Sequence, residues 1–198
     1  MAKLTIRLLG TFHASIDAKP VTQFESNKVR ALLAYLAVEP GQVHRREKLA
    51  ALLWPEMPEK RARSNLSQAI YNLRHLIQDQ GGQPHYLNLT NTTVQFNAHS
   101  EHWCDAIEFT NIIQTSRQHK HPPLESCQEC SESLQKAVEL YRGDFLQGLT
   151  LANNLEFEEW RRIISERFYR QALWALKHLT AYYENQGEKQ NALGSAWR

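Results

Sequence analysis

Apolar residues recur along this chain at two spacings, and the change of spacing sorts it into elements. Between Leu4 and Phe24 they sit in short runs, LTIRLL and TFHASID, split by Gly10. These predict two strands, with a third over residues 19–24, in a small antiparallel sheet. From Asn27 the period lengthens to three and four. Val29, Leu32, Leu33 and Leu36 line one side of a helix over residues 27–38. Ser26 is placed to cap its start, and Glu39-Pro40-Gly41 ends it, because proline cannot continue helix hydrogen bonding. Leu49, Leu52 and Leu53 mark a second helix over residues 45–54, and Leu66, Ala69, Ile70, Leu73 and Ile77 a third over 61–77. The loop Pro55-Glu56-Met57-Pro58 separates them. After Gly81-Gly82, residues 86–89 and 93–97 alternate around Thr90-Asn91-Thr92, the signature of a β-hairpin. Three helices followed by a hairpin is the layout of a winged helix, whose third helix enters the major groove of DNA while the wing reaches the backbone or minor groove.

The second half reads as helical. Asp105 is placed to cap a helix over 106–117, with Ile107, Ile112 and Ile113 inward; another covers 129–141. The glycine-bounded turn 143–148 leads to a long helix over 155–184 that carries Trp160, Phe168, Leu173, Leu176 and Leu179. Asn185-Gln186-Gly187 ends it, and a further helix starts at Glu188. Helices paired across short turns suggest stacked hairpins, TPR-like in kind. The predicted fold class is therefore mainly α with small antiparallel β: a winged-helix domain over 1–97 and a TPR-like helical domain over 98–198. A helical stack needs a capping element, so the chain is expected to be cut short at its C-terminal end.

Charge divides along the same line. Residues 1–97 hold 12 Lys/Arg against 7 Asp/Glu, and residues 98–198 hold 11 against 14, so a +5 half precedes a −3 half. The first is drawn to a polyanion and the second is not. No apolar run reaches the roughly 20 residues that span a bilayer, the N-terminus is too quickly polar for a signal peptide, and three cysteines without a secretion signal point to a reducing cytoplasm. No partner membrane is expected.

The third predicted helix has the most informative outer face. Arg61, Ser64, Asn65, Gln68, Tyr71 and Asn72 lie opposite its apolar stripe. Amides match adenine and guanidinium matches guanine, so this face is suited to reading base edges. Lys60, Arg63 and Arg74 flank it, placed for phosphates, and Thr92 sits at the wing tip. An amide-rich surface helix without a partner is the plainer reading.

One constellation has metal-ligand chemistry. His119-x-His121 precedes Cys127-x-x-Cys130. Cys and His donors suit tetrahedral Zn²⁺, and a polar stretch with few apolar residues gains most from a metal staple. Idle reduced thiols, a reversible disulfide and plain linker histidines remain the alternatives. Cys104 reads as a small core residue, and His102 as a substitute ligand. No nucleophile-elbow motif or phosphate-binding G-x-x-x-x-G-K-[ST] loop is present, so no enzyme activity is expected.

The run KVRALLAYLAVEPGQVHRREKLAALLWPEMPEKRARSNLSQAIYNLRHLI resembles the DNA-binding domain of the SARP family of bacterial transcriptional activators. The later LQKAVELYRGDFLQGLTL and FEEWRRIISERFYRQALWALKHLTAYYENQGEKQNAL resemble that family's bacterial transcriptional activation domain, a TPR-like module. LLWP before the third helix and YRGDFL at residues 141–146 are the most telling pieces, in the family's order. The resemblance implies an OmpR-type winged helix in a bacterial cytoplasm, associated with the nucleoid. It implies double-stranded promoter DNA bound in tandem at direct repeats, and RNA polymerase met near the 55–58 loop. It also implies self-association or a further C-terminal domain. Family recognition helices tend to be richer in Arg than residues 64–72 are here, so the DNA sequence read is not carried over. The rival readings are a helical protein–protein adaptor and a metal- or thiol-responsive sensor.

Overall fold

The computed structural model describes residues 3–81, 86–119 and 123–196. Its first sheet is built from β1 (Leu4–Arg7), β2 (His13–Ile16) and β3 (Lys19–Pro20), joined antiparallel in register Leu4↔Ile16 and Ile6↔Ala14. Leu4 and Ile6 are buried while Arg7 points out, as the two-residue period of a strand requires. A fourth strand, β7 (His102–Cys104), pairs parallel to β1 on its other side.

Between them lie α1 (Asn27–Ala37), β4 (Val43–Arg45), α2 (Arg46–Leu53), α3 (Glu59–Leu76), β5 (Leu87–Leu89) and β6 (Thr93–Phe96). The three helices match the expected ones within two residues at each end. Ser26 stands at the N-cap of α1 but its side chain makes no cap hydrogen bond. The hairpin is extended by β4 into a three-stranded wing sheet, ordered β4-β6-β5. The unexpected β4 exposes Val43 and buries His44, an inversion that hides it from any polarity pattern.

The second half contains α4 (Asp105–Gln118), a 3-10 turn (Leu124–Ser126), α5 (Gln128–Leu140), α6 (Leu155–Asn185) and α7 (Lys189–Ala196). Consecutive helices pack on one another, and α6 also lies against α2 and the 3-10 turn. Ile113 faces inward as expected, but Phe109 carries the α4 core where Ile107 and Ile112 are only half-buried. The chain is mostly helical, with a winged-helix-like N-terminal region and a helical C-terminal part.

The boundary expected after Asn97 is crossed by much of the packing. Beyond it, β7 is a strand of the N-terminal sheet. Asp105 does not cap α4, whose N-cap is Cys104. Its carboxylate is fully buried and accepts from the backbone N–H of Leu8 at 2.7 Å and Leu9 at 3.2 Å, and from Arg142 Nη2 at 2.7 Å. Leu146 N–H donates to Leu8 O at 2.8 Å, and Gln147 N–H to Gly10 O at 3.0 Å. Gly10, at φ +107°, makes the left-handed turn that brings this edge against the 143–148 segment. Asn154 caps α6, accepting from Phe157 N–H at 2.9 Å, and donates to Leu52 O at 2.7 Å. That bond satisfies a carbonyl at the C-terminal end of α2, which has no helical donor of its own. Phe145 is fully buried against Trp160 and Phe168, and Trp160 in turn meets Tyr35 of α1 across the two halves. One hydrophobic core runs from Leu4 to Leu179.

Candidate nucleic-acid interface

Helix α3 is anchored by Ala62, Leu66, Ala69, Ile70 and Leu73, all buried at three- and four-residue intervals. Pro58 precedes its first turn, Glu59 lies at its positive end, and Arg74 and His75 lie at its negative end, so its ends suit the helix dipole. The opposite side presents Arg61, Ser64, Gln68, Tyr71 and His75, all exposed and spaced three or four apart on one stripe. Tyr71 is 62% exposed. Among the described residues, no hydrogen bond engages the side chains of Arg61, Ser64 or Tyr71. At 1.5 Å rise per residue, the stripe from Arg61 to Tyr71 is about 15 Å long. That is about four base-pair steps of 3.4 Å.

Other predicted residues are placed differently. Asn72 is only 8% exposed; its amide donates to the Glu25 carboxylate and its Oδ1 accepts from Gln68 Nε2 at 3.1 Å. It supports the stripe from behind and does not reach solvent with a free amide, contrary to expectation. Arg74 turns back to Asp79, donating to its carbonyl from Nη2 at 2.7 Å and Nε at 3.1 Å, with the carboxylate 3.6 Å away. It is a structural arginine, not the expected phosphate contact. Asp79, fully buried, also accepts from the N–H groups of Tyr86 at 3.0 Å and Leu87 at 3.3 Å. It thereby ties the end of α3 to the start of the wing. A single Asp past a helix end gives no sequence signal for this role.

Arg63 is exposed but shared between Glu47 and Glu59, each at 3.2 Å, which reduces the charge it offers a phosphate. Asn65 is half-buried, its amide 3.0 Å from Met57 Sδ. At the wing tip Thr92 is exposed, and its N–H donates to Thr90 Oγ1 at 3.2 Å. Arg46 binds Thr90 O at 3.0 Å and donates its N–H to Thr92 O at 2.9 Å, fixing the tip to the start of α2.

The His/Cys cluster forms at the α4–α5 connection. His119 ends α4, Cys127 occupies the N-cap position of α5, and Cys130 follows one turn later on the same face. His119 Nδ1 lies 3.2 Å from Cys130 Sγ and 3.9 Å from Cys127 Sγ, and all three donor atoms fall within 4.8 Å of one another. His119 Nε2 faces Glu129 Oε2 at 3.9 Å. Cys130 is buried, and burial first, then the neighbouring Cys127, pushes its thiol up to about 11. His121 lies outside the described residues. His102 sits in β7 with Nδ1 3.0 Å from Ser100 Oγ and does not join the cluster. Cys104 is buried in the core, where desolvation pushes its thiol up to about 12.

Residues 25–92 match the family model described as "Transcriptional regulatory protein, C terminal". This match covers the three helices and the start of the wing, the region that the sequence predicted as a winged helix. Among solved structures, the chain is similar to Mycobacterium tuberculosis EmbR, solved in complex with a low-affinity phosphopeptide. The two share 20% identity at a TM-score of 0.66; the match covers 98% of this chain and 58% of that one. At this identity the likeness is one of fold. No curated protein matches the sequence. Over residues 25–92 the matching family model is one of transcriptional regulators. Among the described residues, no helix is long and apolar enough to cross a membrane.

Proposed function

We infer that this chain, with a transcriptional-regulator winged helix over residues 25–92, is a sequence-specific DNA-binding regulator that lays α3 in the major groove of promoter DNA. The observation that carries this reading is the exposed stripe Arg61–Ser64–Gln68–Tyr71, rigidly backed by Asn72 and by the packed face of α3. Arg61 offers two parallel donors to a guanine, and Gln68 an amide to an adenine. Thr92 and the wing backbone are placed for phosphates.

By resemblance to SARP activators, the exposed 55–58 loop is the surface that meets RNA polymerase, and two copies bind linked promoter repeats. The helical half then supplies self-association or seats a further domain, with a TPR-like role. Its net charge of −3 argues against phosphate contacts there.

The test is fluorescence anisotropy of the full chain with random-sequence duplex, followed by selection of preferred sites. Binding is expected at ~50 mM salt, weakening steeply toward ~200 mM as counterion release predicts. Gln68→Ala is expected to relax the selected preference by ~1–3 kcal/mol, and Arg61→Ala to reduce the preference at one base pair or the salt dependence. Absence of retention on duplex at ~50 mM salt, with the chain folded, favours the protein–protein adaptor instead.

A further inference from the structure

The cysteine–histidine cluster is left unused by DNA recognition, and its geometry is close to a coordination sphere. A tetrahedral Zn²⁺ at about 2.3 Å from sulfur and 2.0–2.1 Å from nitrogen holds those ligands about 3.5–3.8 Å apart. The observed separations of 3.2 and 3.9 Å bracket that range, and the widest pair is within 4.8 Å. Side-chain rotations of about an ångström or less complete the sphere.

We propose that His119, Cys127 and Cys130 bind one thiophilic divalent cation, of the Zn²⁺ class, through Nδ1 and two thiolates. Among the described residues these three side chains supply the donors, and with His119 exposed and Cys127 half-buried, water can reach the fourth position. Binding replaces the two thiol protons, which pass to the buffer; no electron is transferred. Donor softness selects the metal: two thiolates and an imidazole disfavour Mg²⁺ and Ca²⁺, which prefer oxygen. The second nitrogen of His119 points toward Glu129, the carboxylate partner that commonly orients a ligating imidazole.

The ion's placement gives it a structural consequence. It joins the last turn of α4 to the first turn of α5, across the connection that holds the 3-10 turn. Within that turn, Glu125 Oε1 lies 3.2 Å from His178 Nδ1, and its carbonyl accepts from Asn185 Nδ2 at 3.4 Å. Both partners are on α6. The clamp therefore acts on the packing of α4, α5 and α6, and leaves the recognition stripe untouched. Metal occupancy is a property of the helical half, independent of the DNA-binding reading.

The test uses the full chain, reduced and freed of metal, titrated with Co²⁺ and then Zn²⁺. One equivalent of Co²⁺ is expected to give thiolate-to-cobalt charge transfer and tetrahedral visible bands, both lost on adding Zn²⁺. Cys127→Ser is expected to weaken Zn²⁺ binding at least ~100-fold and His119→Ala at least ~10-fold. Cys127 is only half-buried and His119 exposed, so both variants are expected to keep wild-type circular dichroism. Zn²⁺ should raise the melting temperature of the wild type and leave that of Cys127→Ser unchanged. Oxygen-only Co²⁺ spectra, unchanged binding by Cys127→Ser, or a Cys127–Cys130 disulfide forming in preference to the complex with Zn²⁺ present would each overturn the site.

Discussion

Gln68 Nε2 donates to Asn72 Oδ1 at 3.1 Å, and the bond fixes what each amide can do. Asn72, buried and bonded to Glu25, has no free edge for a base. Gln68 keeps its carbonyl oxygen and one N–H, the pair an adenine needs. Gln68→Ala is therefore expected to cost ~1–3 kcal/mol on the preferred site and to change stability by less than about 0.5 kcal/mol. Asn72→Ala is expected to lower stability by about 0.5–1.5 kcal/mol, because it removes the hydrogen bonds to Gln68 and Glu25. Anisotropy on the selected site and urea unfolding separate the two. Unchanged stability in Asn72→Ala would return that residue to the reading face.

Two arginines of α3 are expected to behave oppositely. Arg61 is exposed, and Arg61→Ala should reduce the salt dependence of DNA binding or the preference at one base pair. Arg74 is bound to Asp79, so Arg74→Ala should lower stability by about 1–2 kcal/mol and leave the salt slope of the folded protein unchanged. The check is log affinity against log salt for both variants at a temperature where each is folded.

The buried Asp105 carboxylate couples the first sheet to the 141–147 segment. Asp105→Ala strands two backbone N–H groups and Arg142, and is expected to cost about 2–4 kcal/mol. Because the core is continuous, urea unfolding of the full chain should be one transition by tryptophan fluorescence and circular dichroism alike. Residues 1–97 alone lack β7 and Phe145, so they should unfold at lower urea than the full chain. Two separate transitions in the full chain would show that the halves fold independently.

Stability should fall on mild acidification. Burial lowers the His44 imidazole, against a smaller upward pull from Glu39, and burial also lowers that of His102. His44 Nε2 has no hydrogen-bond partner among the described residues to accommodate a second proton. With folded values below the ordinary one of about 6.5, the unfolded chain binds more protons. Their contribution is complete above that value and is lost as pH falls through the lowered folded values. Burial raises the Asp105 carboxyl, which acts in the opposite sense. The check is thus the difference between wild type and His44→Gln in urea midpoint at about pH 7.5 and pH 5.5. The variant should show the shallower slope.

Periodicity within an element depends only on the backbone geometry of that element, so the sequence alone determined the helices. Val29, Leu32, Leu33 and Leu36 announce α1, and the apolar stripe of α3 predicts which side is left outside. The sequence also put Cys127 and Cys130 in one C-x-x-C spacing near a helix start, while the structure set them one turn apart on α5. Tertiary structure decided how polar side chains on that outer side are used. Asn72 is turned inward because Glu25, 47 residues earlier, meets it, and Arg74 is held by Asp79 beyond the helix end. A local pattern carries no term for such partners. The same reason hid β4, whose three residues are too few for a period, and β7, whose partner β1 lies almost a hundred residues away. Asp105 looked like a helix cap because its sequence neighbours allow one. Packing gave it Leu8, Leu9 and Arg142 instead, since a buried carboxylate must meet donors wherever the fold brings them.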